Sequence, residues 1–177
     1  IYPHRQKMHP ELPYFGKIFV TLACTKANRT HMSTINETQD EIIEEFEGLG
    51  DDWMDRYAYI IEQGDTLPSY PESEKTQANL IEGCQSRVWI AAHRLDDGRI
   101  HFDADSDAMI VKGIVALLMR VLNDRTPREI LDADLYFVDR IGLAQHLSPT
   151  RSNGLVAMVK QIREYATAFN LMDQAGK

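Results

Sequence analysis

A chain of 177 residues, 44% hydrophobic and 26% charged, has the length and composition of one globular domain with a sizeable core, which excludes wholesale disorder. Its net charge of −8 is unevenly spread: residues 1–31 hold five Lys/Arg against one Asp/Glu, so residues 32–177 carry −12. So acidic a body repels phosphate backbones, which argues against nucleic-acid binding and favours steering toward a basic protein partner.

Residues 1–31 do not begin with Met and hold three of the seven prolines and three of the six histidines. Their apolar run, Ile18 to Cys24, could be read as a lipoprotein signal ending at Cys24. It sits at the short end of the roughly 7 to 15 residues of a signal core, behind a stretch containing Glu11 and prolines. We read the segment as a poorly ordered N-terminal extension, with the domain over residues 32–177 and Met32 as its start. No apolar run approaches the length of a bilayer span. Two cysteines, Cys24 and Cys84, provide neither a disulfide framework nor a CxxC or His/Cys zinc pattern, so a reducing, cytoplasmic compartment and no metal centre are expected.

From Met32 onward the signals are helical. Asn36 with Gln39 predicts a capping box, followed by an apolar face of Ile42, Ile43, Phe46 and Leu49 that ends at Gly48 and Gly50. Asp51 is positioned to cap a second amphipathic helix carrying Trp53, Met54, Tyr57, Ile60 and Ile61, stopped by Gly64. A solvated loop with Pro68 and Pro71 leads to LIEGCQSRVWIAAHRL (80–95). There Gly83 supplies a turn, Gln85 and Ser86 can hydrogen-bond within a tight loop, and Val88 to Ala92 reads as a buried strand. The turn Asp96, Asp97, Gly98 and the alternating Arg99–Asp103 predict a hairpin of two or three antiparallel strands, which needs helices on one face to be stable. Ser106 is expected to cap a central buried helix over Met109–Leu122, with Asp107 in its first turn. Gly113, costly by about 1 kcal/mol inside a helix, marks a close approach to another backbone. Thr126, Pro127 and Glu129 predict a further capped helix. His146 to Gly154 reads as a polar connection to a last helix bearing Leu155, Met158, Val159, Ile162 and Phe169. The fold class is α+β, a small antiparallel sheet packed against several helices.

Cys84 admits two readings. A cysteine beside an apolar strand is commonly a small buried hydrophobe, whereas the polar flank of Gln85, Ser86 and Arg87 predicts an accessible loop thiol. Arg87 would favour the thiolate if it turned toward the sulfur. A hydrolytic pairing of Cys84 with His93, His101 or His146 is permitted by spacing and supported by nothing specific. No phosphate-binding glycine loop is present.

The segments YIIEQG (59–64), NLIEGCQSRVWI (79–90), DSDAMIVKG (105–113), TPREI (126–130) and LAQHLSPTRSNGLVAM (143–158), in this order and at this separation, resemble the SufE family of cysteine-desulfuration proteins. The resemblance runs from about Glu41 to about Ala168. It implies an α+β fold similar to that of IscU-type scaffold proteins, and an accessory, non-enzymatic role. Members accept sulfur from a pyridoxal-phosphate-dependent cysteine desulfurase (SufS-like) onto one loop cysteine, stimulate that enzyme, and pass the sulfur to an iron–sulfur scaffold complex (SufBCD-like). Cys84 falls on the position of that persulfide carrier, with Gly83, Gln85 and Ser86 as its supporting loop. His146 and Arg151 match the second motif and are implied near the loop or a partner surface; bracing the last helix explains them equally well. Asp107 also matches a motif position, although the helix dipole already accounts for an acid there. The resemblance implies no cofactor bound by the chain itself and no metal. A paralogous carrier serving another pathway, such as tRNA thiolation, would look the same in sequence.

Overall fold

The computed structural model describes residues 33–175, and the expectations for residues 1–31 lie outside them. Helix α1 (Ile35–Gly48) begins at a capping box two residues earlier than Asn36 and Gln39. The Thr34 hydroxyl accepts from Glu37 N at 3.2 Å, and the Glu37 carboxylate accepts from Thr34 N at 2.7 Å. A threonine three residues before a glutamate satisfies both orphan amides, which the Asn36 and Gln39 pair does not need to do. Gln39 is instead fully buried, donating to Asp134 O and accepting from Phe137 N. Helix α2 (Trp53–Asp65) is capped by Asp52, one residue later than expected, whose carboxylate accepts from Met54 N at 2.8 Å.

After a single 3₁₀ turn at Glu72–Glu74, strands β1 (Val88–Arg94) and β2 (Ile100–Ser106) pair antiparallel, with Val88 opposite Ser106 and Arg94 opposite Ile100. Of the two or three strands expected, two form, and further pairing is limited to single bridges: Leu80 pairs with Trp89 on the outer edge of β1, and Arg125 with Ile100 on that of β2. One face of the hairpin, carrying Val88, Ile90, Ile100, Phe102 and Ala104, is buried in the main core. On the other face Trp89 and Ala91 are covered by Tyr70 and Leu80. Two strands survive because both faces are sealed.

Helix α3 (Met109–Leu122) is the apolar helix expected, with buried residues all along it. Its N-cap, however, is Ala108 rather than Ser106. Ser106 remains in β2, donating its hydroxyl to Arg87 O at 2.9 Å and accepting from Ala108 N at 3.3 Å. Asp107 is therefore outside the first turn. The close approach expected at Gly113 is made by α2. A Cβ on Gly113 would lie 2.6 Å from the Ile60 carbonyl carbon, and one on Gly64 would lie 3.0 Å from Gly113 N.

Helix α4 (Pro127–Asp132) has the Thr126–Glu129 capping box with Pro127 at its start. The poorly patterned stretch beyond it folds as two single-turn helices, α5 (Phe137–Arg140) and α6 (Leu143–His146), joined through Gly142 at φ +74°. Helix α7 (Pro149–Ala175) starts earlier than the polar sequence suggests and includes Arg151 to Gly154. Proline and polar residues suit a first helical turn, and Gly154 opens the buried stripe that continues through Leu155, Met158, Ile162 and Ala166. Among the described residues no helix is long and apolar enough to cross a membrane.

Candidate functional site

The sheet edge creates the site. Ile81 N donates to Val88 O at 2.8 Å and Ile90 N to Asn79 O at 2.9 Å, so residues 79–81 and β1 form the neck of a loop over residues 82–87. Gly83, at φ +87°, makes the turn that a side chain would oppose. The C-terminal side of the neck is tied to Asp107. Its carboxylate accepts from Arg87 N at 2.9 Å and from Arg87 Nε at 3.0 Å, and Asp107 N donates back to Arg87 O at 3.2 Å. Asp107 thus brackets the loop instead of serving the dipole of α3.

Cys84 is a free, half-buried cysteine on this loop. Its thiol donates to Gly154 O in α7, with Sγ 3.6 Å from the oxygen. The sulfur borders a cavity of about 340 Å³ lined by Val111 and Ile114 of α3, Thr150, Arg151, Gly154 and Met158 of α7, and Gln85 and Ser86 of the loop. Arg87 does not reach it. Strand alternation carries the guanidinium to the opposite face, over the Trp89 ring at 5.7 Å and against Asp107. The stabilisation of a thiolate that Arg87 would give by turning toward the sulfur is therefore absent, and burial alone pushes the Cys84 thiol above its ordinary value.

A thiol whose pKa is raised in the folded state is neutral at physiological pH. The stability it confers is complete below the unfolded thiol pKa and is lost as pH rises through the higher folded value. Because only the thiolate is alkylated, the pH profile of iodoacetamide labelling at Cys84, followed by peptide mapping to separate it from Cys24, is expected to have its midpoint at higher pH in the native protein than in the urea-unfolded chain. A native midpoint at or below the unfolded one would contradict the sheltered thiol.

Gly154 belongs by its sequence neighbours to a polar connection, yet it forms part of the site. The available signal was its spacing of four from Met158 and eight from Ile162, which puts a glycine in the apolar stripe. A Cβ at Gly154 would sit 3.3 Å from Sγ of Cys84, so the loop must yield. Gly154→Ala is expected to speed alkylation of Cys84 about threefold or more, the size of one lost weak hydrogen bond. The helix gains up to about 1 kcal/mol in propensity, so the urea midpoint should not fall greatly. Unchanged or slower labelling would show that the thiol is not seated against this backbone.

Arg151 lines the cavity with Cys84, Gln85 and Ser86; His146 does not. The His146 ring stacks on Trp53 with centroids 3.6 Å apart, its Nδ1 lies 3.0 Å from Gly142 O, and its own carbonyl accepts from Tyr57 Oη at 2.7 Å. His93 lies 3.1 Å from Asp103, and His101 Nδ1 lies 2.8 Å from Asp124. Among the described residues no histidine lines the Cys84 cavity, and none is placed to act as its base. Nor is any group of three His, Cys, Asp or Glu residues there placed to hold a metal ion. The chemistry available is that of one sheltered thiol, a polar rim and a nearby guanidinium.

Comparison with known proteins agrees in fold and sequence. A family model described as SufE, an Fe-S metabolism associated domain, matches residues 40–166. An uncharacterized SufE-like protein of Rhizobium etli is 41% identical over 145 residues, covering 80% of this chain and 95% of the relative. One from Rhizobium meliloti is 40% identical over 131 residues, covering 72% and 93%. The solution structure of a hypothetical protein from Thermus thermophilus superposes with a TM-score of 0.62 at 20% identity, covering 76% of this chain and 96% of that one, which shows a shared fold.

Proposed function

The chain belongs to the SufE family, and from that premise we propose that it is a cytoplasmic sulfur acceptor and carrier, with Cys84 as the persulfide-bearing residue. The observation that carries this reading is the position of Cys84: a free thiol on a loop with a fixed neck, beside a cavity that can shelter an added sulfur. A carrier must hold a reactive group without exposing it, and an accessory protein needs one nucleophile and no base of its own.

In the exchange, the Cys84 thiolate attacks the outer sulfur of the persulfide on a pyridoxal-phosphate-dependent cysteine desulfurase. A new S–S bond forms to Cys84, the partner's S–S bond breaks, and the partner's thiolate leaves and takes up the proton that Cys84 released. No net oxidation occurs. Since burial keeps the Cys84 thiol protonated, docking has to draw the loop out or supply the proton acceptor, which is how an accessory protein and its enzyme can be made to wait for each other. The cofactor belongs to the enzyme. The carried sulfur is then delivered to an iron–sulfur scaffold complex.

Incubating the full chain with a cysteine desulfurase and free cysteine, then reading its intact mass without reductant, tests this. The expected result is a gain of one or more sulfur atoms, removed by reductant and mapped to Cys84. No gain, with the desulfurase turning over and Cys84 reduced, would count against the reading.

A further inference from the structure

The cavity is larger than sheltering requires. One sulfur atom needs roughly the space of one water, about 30 Å³, whereas the space beside Cys84 is about 340 Å³, at the lower end of the roughly 300–1,000 Å³ typical of small-molecule sites. Its walls are divided. Val111, Ile114 and Met158 are apolar, and Gln85, Ser86, Thr150 and Arg151 are polar. That pattern suits a small ligand with a short aliphatic body and a charged end.

The charged end is specified by Arg151. Among the described residues every other lysine and arginine side chain has a hydrogen bond or an ion pair, and Arg151 has neither. In a body as acidic as this one, an arginine left without a carboxylate is conspicuous, and it stands on the wall of the cavity that holds the thiol. A guanidinium offers a planar fork that takes a carboxylate in two parallel hydrogen bonds.

Resting on the carrier reading above, we infer that the Cys84 cavity also accepts sulfur directly from a small persulfide bearing a carboxylate, of the cysteine or short-peptide class, with Arg151 holding the carboxylate. The Cys84 thiolate attacks the outer sulfur of R–S–SH, the S–S bond between that sulfur and the R–S group breaks, and R–S⁻ leaves and takes the proton given up by Cys84. The products are the Cys84 persulfide and R–SH, with no oxidant or reductant consumed. The protein could then be charged by low-molecular-weight persulfides as well as by a protein donor.

The test uses the full chain and two probes of equal size, N-acetylcysteine persulfide and its carboxamide counterpart, with sulfur uptake at Cys84 read by mass and peptide mapping. The acid is expected to load about tenfold faster than the amide, the effect of one charge-assisted pair. That ratio should fall toward one in Arg151→Ala and be partly kept in Arg151→Lys. Equal rates for the two probes, or a preference untouched by Arg151→Ala, would overturn the inference. A parallel arm with a cysteine desulfurase and free cysteine separates the two claims. Loading by the enzyme but by neither probe sinks the small-persulfide site and leaves the carrier; loading by neither route sinks both.

Discussion

Cys84→Ser is expected to abolish sulfur uptake from a cysteine desulfurase while leaving the fold intact. The hydroxyl replaces the thiol in nearly the same volume and can donate to Gly154 O, which now accepts from Sγ at 3.6 Å. The substitution should therefore cost no more than about 1 kcal/mol. An alcohol at this position cannot attack sulfur usefully at neutral pH and forms no sulfur–sulfur bond, so the loss is of chemistry and not of structure. Circular dichroism and the urea midpoint check the fold; intact mass without reductant, with and without desulfurase and cysteine, checks the function. Because Cys24 is also present, the sulfur is located by peptide mapping. A variant that still gains reductant-labile sulfur at the wild-type level would overturn Cys84 as the carrier and turn attention to Cys24. A protein acting only as an interaction domain would likewise lose nothing on this substitution.

Local chemistry was legible in the sequence where the deciding partners lie within a few residues and no neighbouring residue offers the same chemistry. The Thr126–Glu129 box, the hairpin turn closed by Gly98 and the all-round apolar α3 are of this kind. Gly113 was also readable, because a glycine inside a helix has few purposes other than close approach. Errors arose where a second, equally good local signal competed. Thr34 with Glu37 outbid Asn36 with Gln39, and Asp52 outbid Asp51. The site was harder, since it is assembled across the chain. Nothing near Cys84 in sequence announces Gly154, 70 residues away, or says that Arg87 would be claimed by Asp107 and Trp89. His146 and Arg151 lie five residues apart in sequence, yet only Arg151 lines the cavity. The short α6 ends at His146, whose ring stacks on Trp53, whereas Arg151 lies in the first turn of α7 beside the cavity.

Gly113→Ala is expected to be the most damaging of the glycine-to-alanine changes among the described residues. A Cβ there would overlap the Ile60 carbonyl oxygen and lie 2.7 Å from Ile60 Cγ2. Neither neighbour can step aside. The carbonyl belongs to the backbone of α2, and Ile60 is fully buried. Only a separation of α2 from α3 can relieve the overlap, and that exposes core along the whole contact. Overpacking of a rigid site typically costs 1–3 kcal/mol and sometimes more; with backbone as the obstacle, a loss of about 3 kcal/mol or greater is expected, measured as a fall in the urea midpoint. Gly48→Ala is the matched control. It lies at the exposed end of α1, where a Cβ meets nothing within 4 Å, and a gain of up to about 1 kcal/mol is expected from helix propensity. If Gly113→Ala came within about 0.5 kcal/mol of the wild type, the α2–α3 approach would be looser than described. The same displacement reaches the site, since Val111 and Ile114, on either side of Gly113, form the apolar wall of the Cys84 cavity. Where the variant remains folded, Cys84 should alkylate faster than in the wild type, and the glycine that lets two helices touch would thereby also govern how well the thiol is sheltered.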